Sequence, residues 1–449
     1  MGRLFGTDGV RGVANSELTP ELAFKLGKAG AHVLSKSKNN PIFLIGKDTR
    51  LSGDMLEDAL SAGITAVGGN VIKVGVLPTP AIAYLVRAYN ADAGVVISAS
   101  HNPFEYNGIK FFNGEGFKLD DDLEDDIEDI LLRDIDVNSH ITGSSIGRCL
   151  DADDDAGAKY ARFLESTIDV DIKGIKLVLD CANGAAYKVA EKVYRDLGAD
   201  VRIIGNKPDG TNINAKCGST HPEALQKAVV EDGALLGLAY DGDADRLIAV
   251  DEKGRIIDGD KLICICAGMM KSRGQLDDDL VTATVMSNIG FHKHMGNMGC
   301  KVNVTPVGDR YVLESMLKTG GKIGGEQSGH IIFLNHTTTG DGILSSLQLL
   351  QAVLESGKKP SQLSDEIEIY PQVLKNARVK NENKNKFMQD PAVKEAIARV
   401  EKEVEGNGRV LIRPSGTEPV ARVMIEGQDV DHITELAEDL ARQITRQFG

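Results

Sequence analysis

The chain has 449 residues, 42% hydrophobic and 26% charged, a globular composition that excludes a disordered, collagen-like or coiled-coil protein. At about 150 residues per domain, this length predicts roughly three domains, with two or four also open. Lys and Arg number 51 against 66 Asp and Glu, a net charge of −15, which argues against general affinity for nucleic acid or an anionic membrane.

In chain order, nothing near Met1 reads as a signal peptide, and Gly6 stands where a myristoylation signal needs Ser or Thr. Phe5-Gly6-Thr7-Asp8-Gly9-Val10-Arg11-Gly12 precedes the first regular pattern. Strands are predicted at residues 42–45, 69–74 and 94–97, with a helix after the first. Residues 120–136 then carry ten acids against Arg133 alone. Leu119, Leu123, Ile127, Ile130 and Leu131 fall there at helical spacing, which predicts an amphipathic helix whose carboxylates form a solvated face rather than a metal site. The strand pattern repeats at 177–180, 198–203 and 235–240, and again at 281–285, 299–304 and 322–324. Each copy is an α/β unit of the kind that builds a largely parallel sheet. The longest apolar stretch, from Leu262 to Met270, is too short to span a bilayer. After Pro360 the pattern changes to a strand at 373–379, a helix at 392–404, strands at 409–412 and 421–425, and a final helix from His432, which predicts a smaller α+β domain. Six cysteines with no C-x-x-C pair and no metal-type spacing predict a reduced, cytoplasmic protein.

The last strand of each copy opens into a different loop: Ser98-Ala99-Ser100-His101-Asn102-Pro103, Asp241-Gly242-Asp243-Ala244-Asp245-Arg246, and Gly325-Glu326-Gln327-Ser328-Gly329-His330. Carboxyl ends of strands in open α/β sheets are where ligands bind. Alternation at a strand end can direct Asp241, Asp243 and Asp245 to one point, as hard oxygen ligands suited to Mg²⁺. A calcium loop of the EF-hand type fails at Arg246, where Gly is required, and a strand precedes the loop where that motif has a helix. Ser100 lacks the G-x-S-x-G elbow of a hydrolase. As a phosphoserine it would bring roughly −1.5 to −2 charge and acceptor oxygens able to complete a Mg²⁺ site. Glu326 and Ser328 offer an acceptor and a donor suited to sugar hydroxyls or an amino group. In the tail, Arg413-Pro414-Ser415-Gly416-Thr417-Glu418-Pro419, with Arg422 downstream, resembles a phosphate cradle. Arg11 and Lys110 are cations able to offset charge on a moving phosphoryl group.

These ordered motifs, from Phe5–Gly12 to Arg413–Pro419, resemble the α-D-phosphohexomutase family over nearly the whole chain. The resemblance implies an α/β fold of three related α/β domains with mostly parallel mixed sheets plus a smaller C-terminal α+β domain around a central cleft. The expected boundaries are 1–155 with the phosphoserine loop, 156–257 with the metal loop, 258–368 with the sugar loop and 369–449 with the phosphate loop. It implies that Ser100 is phosphorylated, that Ser100, Asp241, Asp243 and Asp245 hold one Mg²⁺ per subunit, and that Arg11, Lys110, Arg246 and His330 are catalytic. Either His330 or Lys110 would move the proton. Glu326, Ser328, Arg413, Ser415, Gly416, Thr417 and Arg422 would bind substrate. Gln327 in the sugar loop, with Pro208–Gly210, Asn212–Asn214 and Cys217–Glu223, resembles the branch that acts on glucosamine phosphates. That branch interconverts the 6- and 1-phosphates through glucosamine 1,6-bisphosphate, which serves as intermediate and activator, and feeds UDP-N-acetylglucosamine and cell-wall precursor synthesis. Glucose or mannose phosphates are the alternative substrates. A homodimer is the candidate assembly, with no nucleic acid or membrane partner. The reaction requires closure over a bisphosphate and then loosening, so the Arg413 domain is expected to move when ligand binds, as a scattering series would register. Two further readings remain: a phosphatase with Asp241 as nucleophile, and a non-catalytic sugar-phosphate sensor.

Overall fold

A computed structural model of the chain describes residues 4–6, 8–35, 38–137, 141–152, 155–384, 386–415 and 419–449. It divides into two compact units, Met1–Met286 with Gly299–Asp365, and Ser287–Met298 with Glu366–Gly449.

The first unit holds three sheets. The first contains β1 (Val10–Val13), β2 (Ile42–Lys47), β3 (Asn70–Val76), β4 (Ala93–Ile97), β5 (Tyr106–Asn113) and β6 (Cys149–Asp151), in the order β1-β5-β4-β2-β3-β6. The second contains β7 (Lys176–Asp180), β8 (Asp200–Ile204), β9 (Leu236–Tyr240), β10 (Leu247–Asp251) and β11 (Ile256–Ile257), in the order β11-β10-β9-β7-β8. The third contains β12 (Leu280–Thr284), β13 (Lys301–Thr305), β14 (Ile323–Gly325) and β15 (Ile331–Phe333), in the order β13-β12-β14-β15.

The three copies read from the sequence therefore share one topology. In each, the first strand lies between the second and third, parallel to both. A fourth strand, β5, β10 or β15, then returns antiparallel to the third. The loops carrying Ser100, the aspartates and Glu326 all join the third strand to the fourth, so one topological position recurs three times at a carboxyl strand end.

Local chemistry explains the packing of the first sheet. Thr19 caps helix Pro20–Leu34, its Oγ1 accepting from Leu22 N at 3.2 Å. Helix Gly53–Ala66 lies against it at glycines: a Cβ at Gly63 would stand 2.1 Å from the Phe24 carbonyl oxygen, and one at Gly27 would stand 2.4 Å from that of Leu60. Gly63→Val should therefore destabilise the protein by about 2–3 kcal/mol through overpacking, measured as a lower urea midpoint. Helix Asp121–Leu132 is capped by Asp120 and presents Ile127 to the core, with Leu123, Ile130 and Leu131 packed against it, while Leu119 enters the core from just before the cap, outside the helix that its spacing predicts. Its acids lie mainly on the outside as expected, with one correction: Glu128 is buried, accepting from Leu4 N at 2.9 Å and Phe5 N at 3.4 Å.

The second unit contains β16 (Gln372–Arg378), β17 (Gly408–Pro414) and β18 (Val420–Gly427) as an antiparallel sheet in the order β16-β18-β17. Helices Pro391–Glu403 and Val430–Phe448 pack their apolar faces into its core. Helix Ile289–Asn297, which follows β12 in sequence, belongs to this unit. Glu426, fully buried on β18, accepts from Ile289 N at 2.9 Å, and Asn288 Nδ2 donates to Tyr370 O at 2.9 Å. A carboxylate at a helix N-terminus complements its dipole, so these contacts anchor the helix to the C-terminal sheet.

Candidate active site

Ser100 follows β4 and is buried. Its Oγ donates to Asp241 Oδ2 at 2.6 Å, and His101 Nδ1 stands 3.4 Å from the same Oγ. The Ser100 N–H donates to Ser98 Oγ at 3.0 Å, whose own hydroxyl donates to Asp48 Oδ2 at 2.6 Å. The expected meeting of the serine with the aspartate loop is thus direct.

Asp241, Asp243 and Asp245 are buried, with ligand oxygens all within 4.8 Å of one another. Burial pushes the Asp241 carboxyl well above its usual range, and Asp245 and Asp243 add to the push. Asp245 moves the other way: burial would raise it, but His330 and Lys110 outweigh that and hold it low. Asp243 Oδ1 and Asp245 Oδ1 are buried without a hydrogen-bond partner. Orphaned buried carboxylate oxygens are costly, and three of these groups converging on one point fit a hard divalent cation. Thr79 Oγ1 and Lys110 Nζ both donate to Asp243 Oδ2, at 2.7 and 2.9 Å, and so orient its free oxygen.

A run of alternating charges joins Asp243 to Asp245. Lys110, 2% exposed, bridges Asp243 to Asp8 Oδ2 at 2.8 Å. Asp8 also pairs with Arg11, and its Oδ1 takes Lys118 at 2.7 Å. Lys118 reaches Asp309 Oδ2 at 2.5 Å. Asp309 lies 3.6 Å from His330 Nε2, and His330 Nδ1 lies 3.4 Å from Asp245. Burial would raise the Asp8 carboxyl, but Lys110, Lys118 and Arg11 together hold it well below its ordinary value. Burial would lower the His330 pKa, but Asp245 and Asp309 outweigh it and raise it; the Gly340 N–H donates to Nε2 at 3.0 Å. Arg246 Nε is 3.8 Å from Asp245 Oδ1.

Glu326 is half-buried, with Oε1 accepting from Gly308 N at 3.1 Å, and Ser328 is exposed. Gln327 Nε2 lies 3.4 Å from Asp258 Oδ2. The Gly329 carbonyl accepts from Leu247 N at 3.0 Å, tying the sugar loop to the end of the aspartate loop. In the second unit, Arg413 and Arg422 are direct cross-strand partners. Burial and the Arg422 charge both lower the Arg413 pKa. Like charges placed opposite each other are unfavourable without an anion. Ser415 is buried beside them, with its N–H on Val420 O at 2.9 Å. Gly416 and Thr417 lie outside the described residues.

The structure thus brings together Ser100, Asp241, Asp243, Asp245, Arg246, Lys110 and His330, with Arg11 joined through Asp8. Sequence reasoning missed Asp48, Arg50, Thr79, Lys118, Asp309 and the role of Asp8. Asp48 and Arg50 follow β2, so the strand-end rule that singled out the other loops would have found them.

Four matches define the class of protein. The phosphoglucomutase/phosphomannomutase alpha/beta/alpha domain I matches residues 2–137, domain II 158–254, domain III 258–370, and the C-terminal domain 374–443. The chain belongs to the phosphoglucomutase/phosphomannomutase family. It is 56% identical over 449 residues to the phosphoglucosamine mutase of Thermoanaerobacter sp. (strain X514), and 55% identical over 447 residues to that of Clostridium acetobutylicum, covering 100% of each chain in both cases. Among solved structures, a phosphoglucomutase/phosphomannomutase family protein from Burkholderia thailandensis superposes with a TM-score of 0.81 at 24% identity, over 99% of this chain and 97% of that one. Aspergillus fumigatus N-acetylphosphoglucosamine mutase, solved in complex with GlcNAc-6P and magnesium, gives 0.72 at 18% identity, over 99% and 96%. Both share the fold.

Proposed function

We infer that the chain is a phosphomutase of the isomerase class that interconverts glucosamine 6-phosphate and glucosamine 1-phosphate, using Ser100 as its phosphoryl carrier. The observation that carries this reading is Ser100 Oγ, buried and 2.6 Å from a carboxylate of the aspartate triplet. Full-length identity of 55–56% to phosphoglucosamine mutases supports the substrate, as does the Glu326-Gln327-Ser328 loop.

The sugar 1-hydroxyl attacks phosphorus on Ser100, the phosphorus–Oγ bond breaks, and glucosamine 1,6-bisphosphate forms. The proton leaving the 1-hydroxyl is balanced by the one Ser100 Oγ finally holds. After the bisphosphate turns over, Ser100 Oγ attacks the 6-phosphorus and the sugar 6-oxygen takes the proton back. A Mg²⁺ held by Asp241, Asp243, Asp245 and a Ser100 oxygen would neutralise charge on the moving group. Arg11, Arg246 and Lys110 add cationic stabilisation in a site where positioning and charge supply most of the catalysis. Lys110 and His330 are the two candidate proton carriers: burial would lower the Lys110 pKa, but Asp243 and Asp8, to which its ammonium donates, outweigh it and raise it, and both His330 nitrogens are engaged. Glu326 and Ser328 take the sugar's polar groups, and Arg413, Ser415, Gly416, Thr417 and Arg422 take the phosphate that is not reacting. The six cysteines are free, and no helix among the described residues is long and apolar enough to cross a membrane. We place the protein in the cytoplasm, as a homodimer.

A coupled assay with glucosamine, glucose and mannose 6-phosphates tests the substrate. The highest kcat/KM is expected for glucosamine 6-phosphate; a preference for either neutral sugar would overturn that assignment while leaving the mutase intact.

A further inference from the structure

Ser100 sits at φ 51°, in the left-handed region that a serine enters only under constraint. The constraint is visible at its carbonyl oxygen, which takes two side-chain donors, Arg50 Nη2 at 2.8 Å and Asn214 Nδ2 at 2.9 Å. The same nitrogens also hold the Asn102 carbonyl, at 2.9 and 3.1 Å, and Arg50 Nη1 reaches the Pro103 carbonyl at 2.5 Å. Arg50 is itself fixed: its side chain is fully buried, and its Nε donates to Asp48 Oδ2 at 2.8 Å, the oxygen that also accepts from Ser98.

The two donors come from different sheets. Arg50 follows β2 in the first sheet, whereas Asn214, itself at φ 58°, lies in the loop after β8 in the second. The metal loop closes the joint. A Cβ at Gly242 would stand 2.5 Å from the Ser100 carbonyl oxygen and 2.8 Å from Asn214 Nδ2. Neither donor is placed to touch substrate, since Arg50 is buried among carbonyls and Asp48, and Asn214 is buried against the serine loop.

We propose that Arg50 and Asn214 are positioning residues that clasp the Ser100 carbonyl from two sheets and thereby set the distance from Ser100 Oγ to Asp241. This rests on the reading of Ser100 as phosphoryl carrier. With φ held and both backbone polar groups tied, the Cα–Cβ bond of Ser100 is aimed at the aspartates before any ligand arrives. Such preorganisation acts on phosphoryl transfer and leaves sugar binding alone.

The test uses full-length protein carrying Arg50→Lys, which keeps the charge and loses the planar fork, or Asn214→Gly, which keeps the positive φ and removes the amide. Dephosphorylated enzyme is mixed with glucosamine 1,6-bisphosphate, and phosphoryl loading is followed by intact mass. Steady-state kcat and KM for glucosamine 6-phosphate and cooperative thermal unfolding are measured alongside. Expected are folded variants whose loading rate and kcat fall about 100-fold, with KM within about twofold of the parent. Folded variants that load and turn over at the parent rate would overturn the proposal, as would a raised KM at unchanged kcat. If one variant fails to unfold cooperatively the other decides; failure of both would make the clasp a folding requirement and also overturn it. Failure of the parent enzyme to load Ser100 would instead refute the carrier reading beneath it.

Discussion

Ser100→Ala is expected to lose mutase turnover by roughly 10⁴-fold or more, because on the proposed mechanism it deletes the covalent carrier, a step for which no other group substitutes. The loss should come without unfolding, since Ser100 contributes one hydroxyl contact, to Asp241, with His101 beside it. Alanine pays for the left-handed backbone at this position as serine does, so Ser100→Gly is the informative companion. Both variants should be equally inactive in the coupled assay, while glycine meets the backbone requirement without strain. Full turnover in either would remove Ser100 from the reaction.

Asp241→Asn should abolish activation by Mg²⁺ and reverse the sign of one stability effect. Burial and the neighbouring Asp245 and Asp243 carboxylates disfavour charge on Asp241, so a neutral amide there should raise the unfolding temperature in EDTA. The parent protein should in turn gain about 2.7 kcal/mol when Mg²⁺ is at a hundredfold excess over its dissociation constant, and the variant should lose that gain. Asparagine keeps an oxygen able to accept from Ser100, so the serine stays in place and the change reports on the cation site. Differential scanning calorimetry with and without Mg²⁺ reads both effects. An Mg²⁺-dependent shift as large in the variant as in the parent would separate Asp241 from the metal.

Much of this was legible before any coordinates. Runs of β-branched and aliphatic residues marked the first three strands of each repeat within one or two residues, and the loops beyond them carried Ser100, the aspartates and Glu326. The fourth strands were not distinguished. β15 has three residues and β5 mixes Asn, Gly and Lys with aromatics, so neither shows the apolar run or clean alternation that marks a strand. The attachment of helix Ile289–Asn297 to the C-terminal sheet depends on Glu426, more than a hundred residues away, and local pattern carries no trace of it. The same holds for Asp8, Lys118 and Asp309: each is an ordinary surface residue in sequence, and they become one half-buried charge network only where separate loops meet. Glu128 was concealed among nine other acids, and only the tertiary contact with Leu4 and Phe5 sets it apart.

In the proposed reaction the moving phosphoryl group rests on Ser100 between turnovers. Brief mixing of the enzyme with glucosamine 1,6-bisphosphate labelled in both phosphates, followed by proteolysis and mass spectrometry, tests it most directly. The label should be found on the peptide containing Ser100 and should chase into sugar phosphate when unlabelled glucosamine 6-phosphate is added. Label on the peptide containing Asp241, or release as inorganic phosphate without return to sugar, would contradict the account.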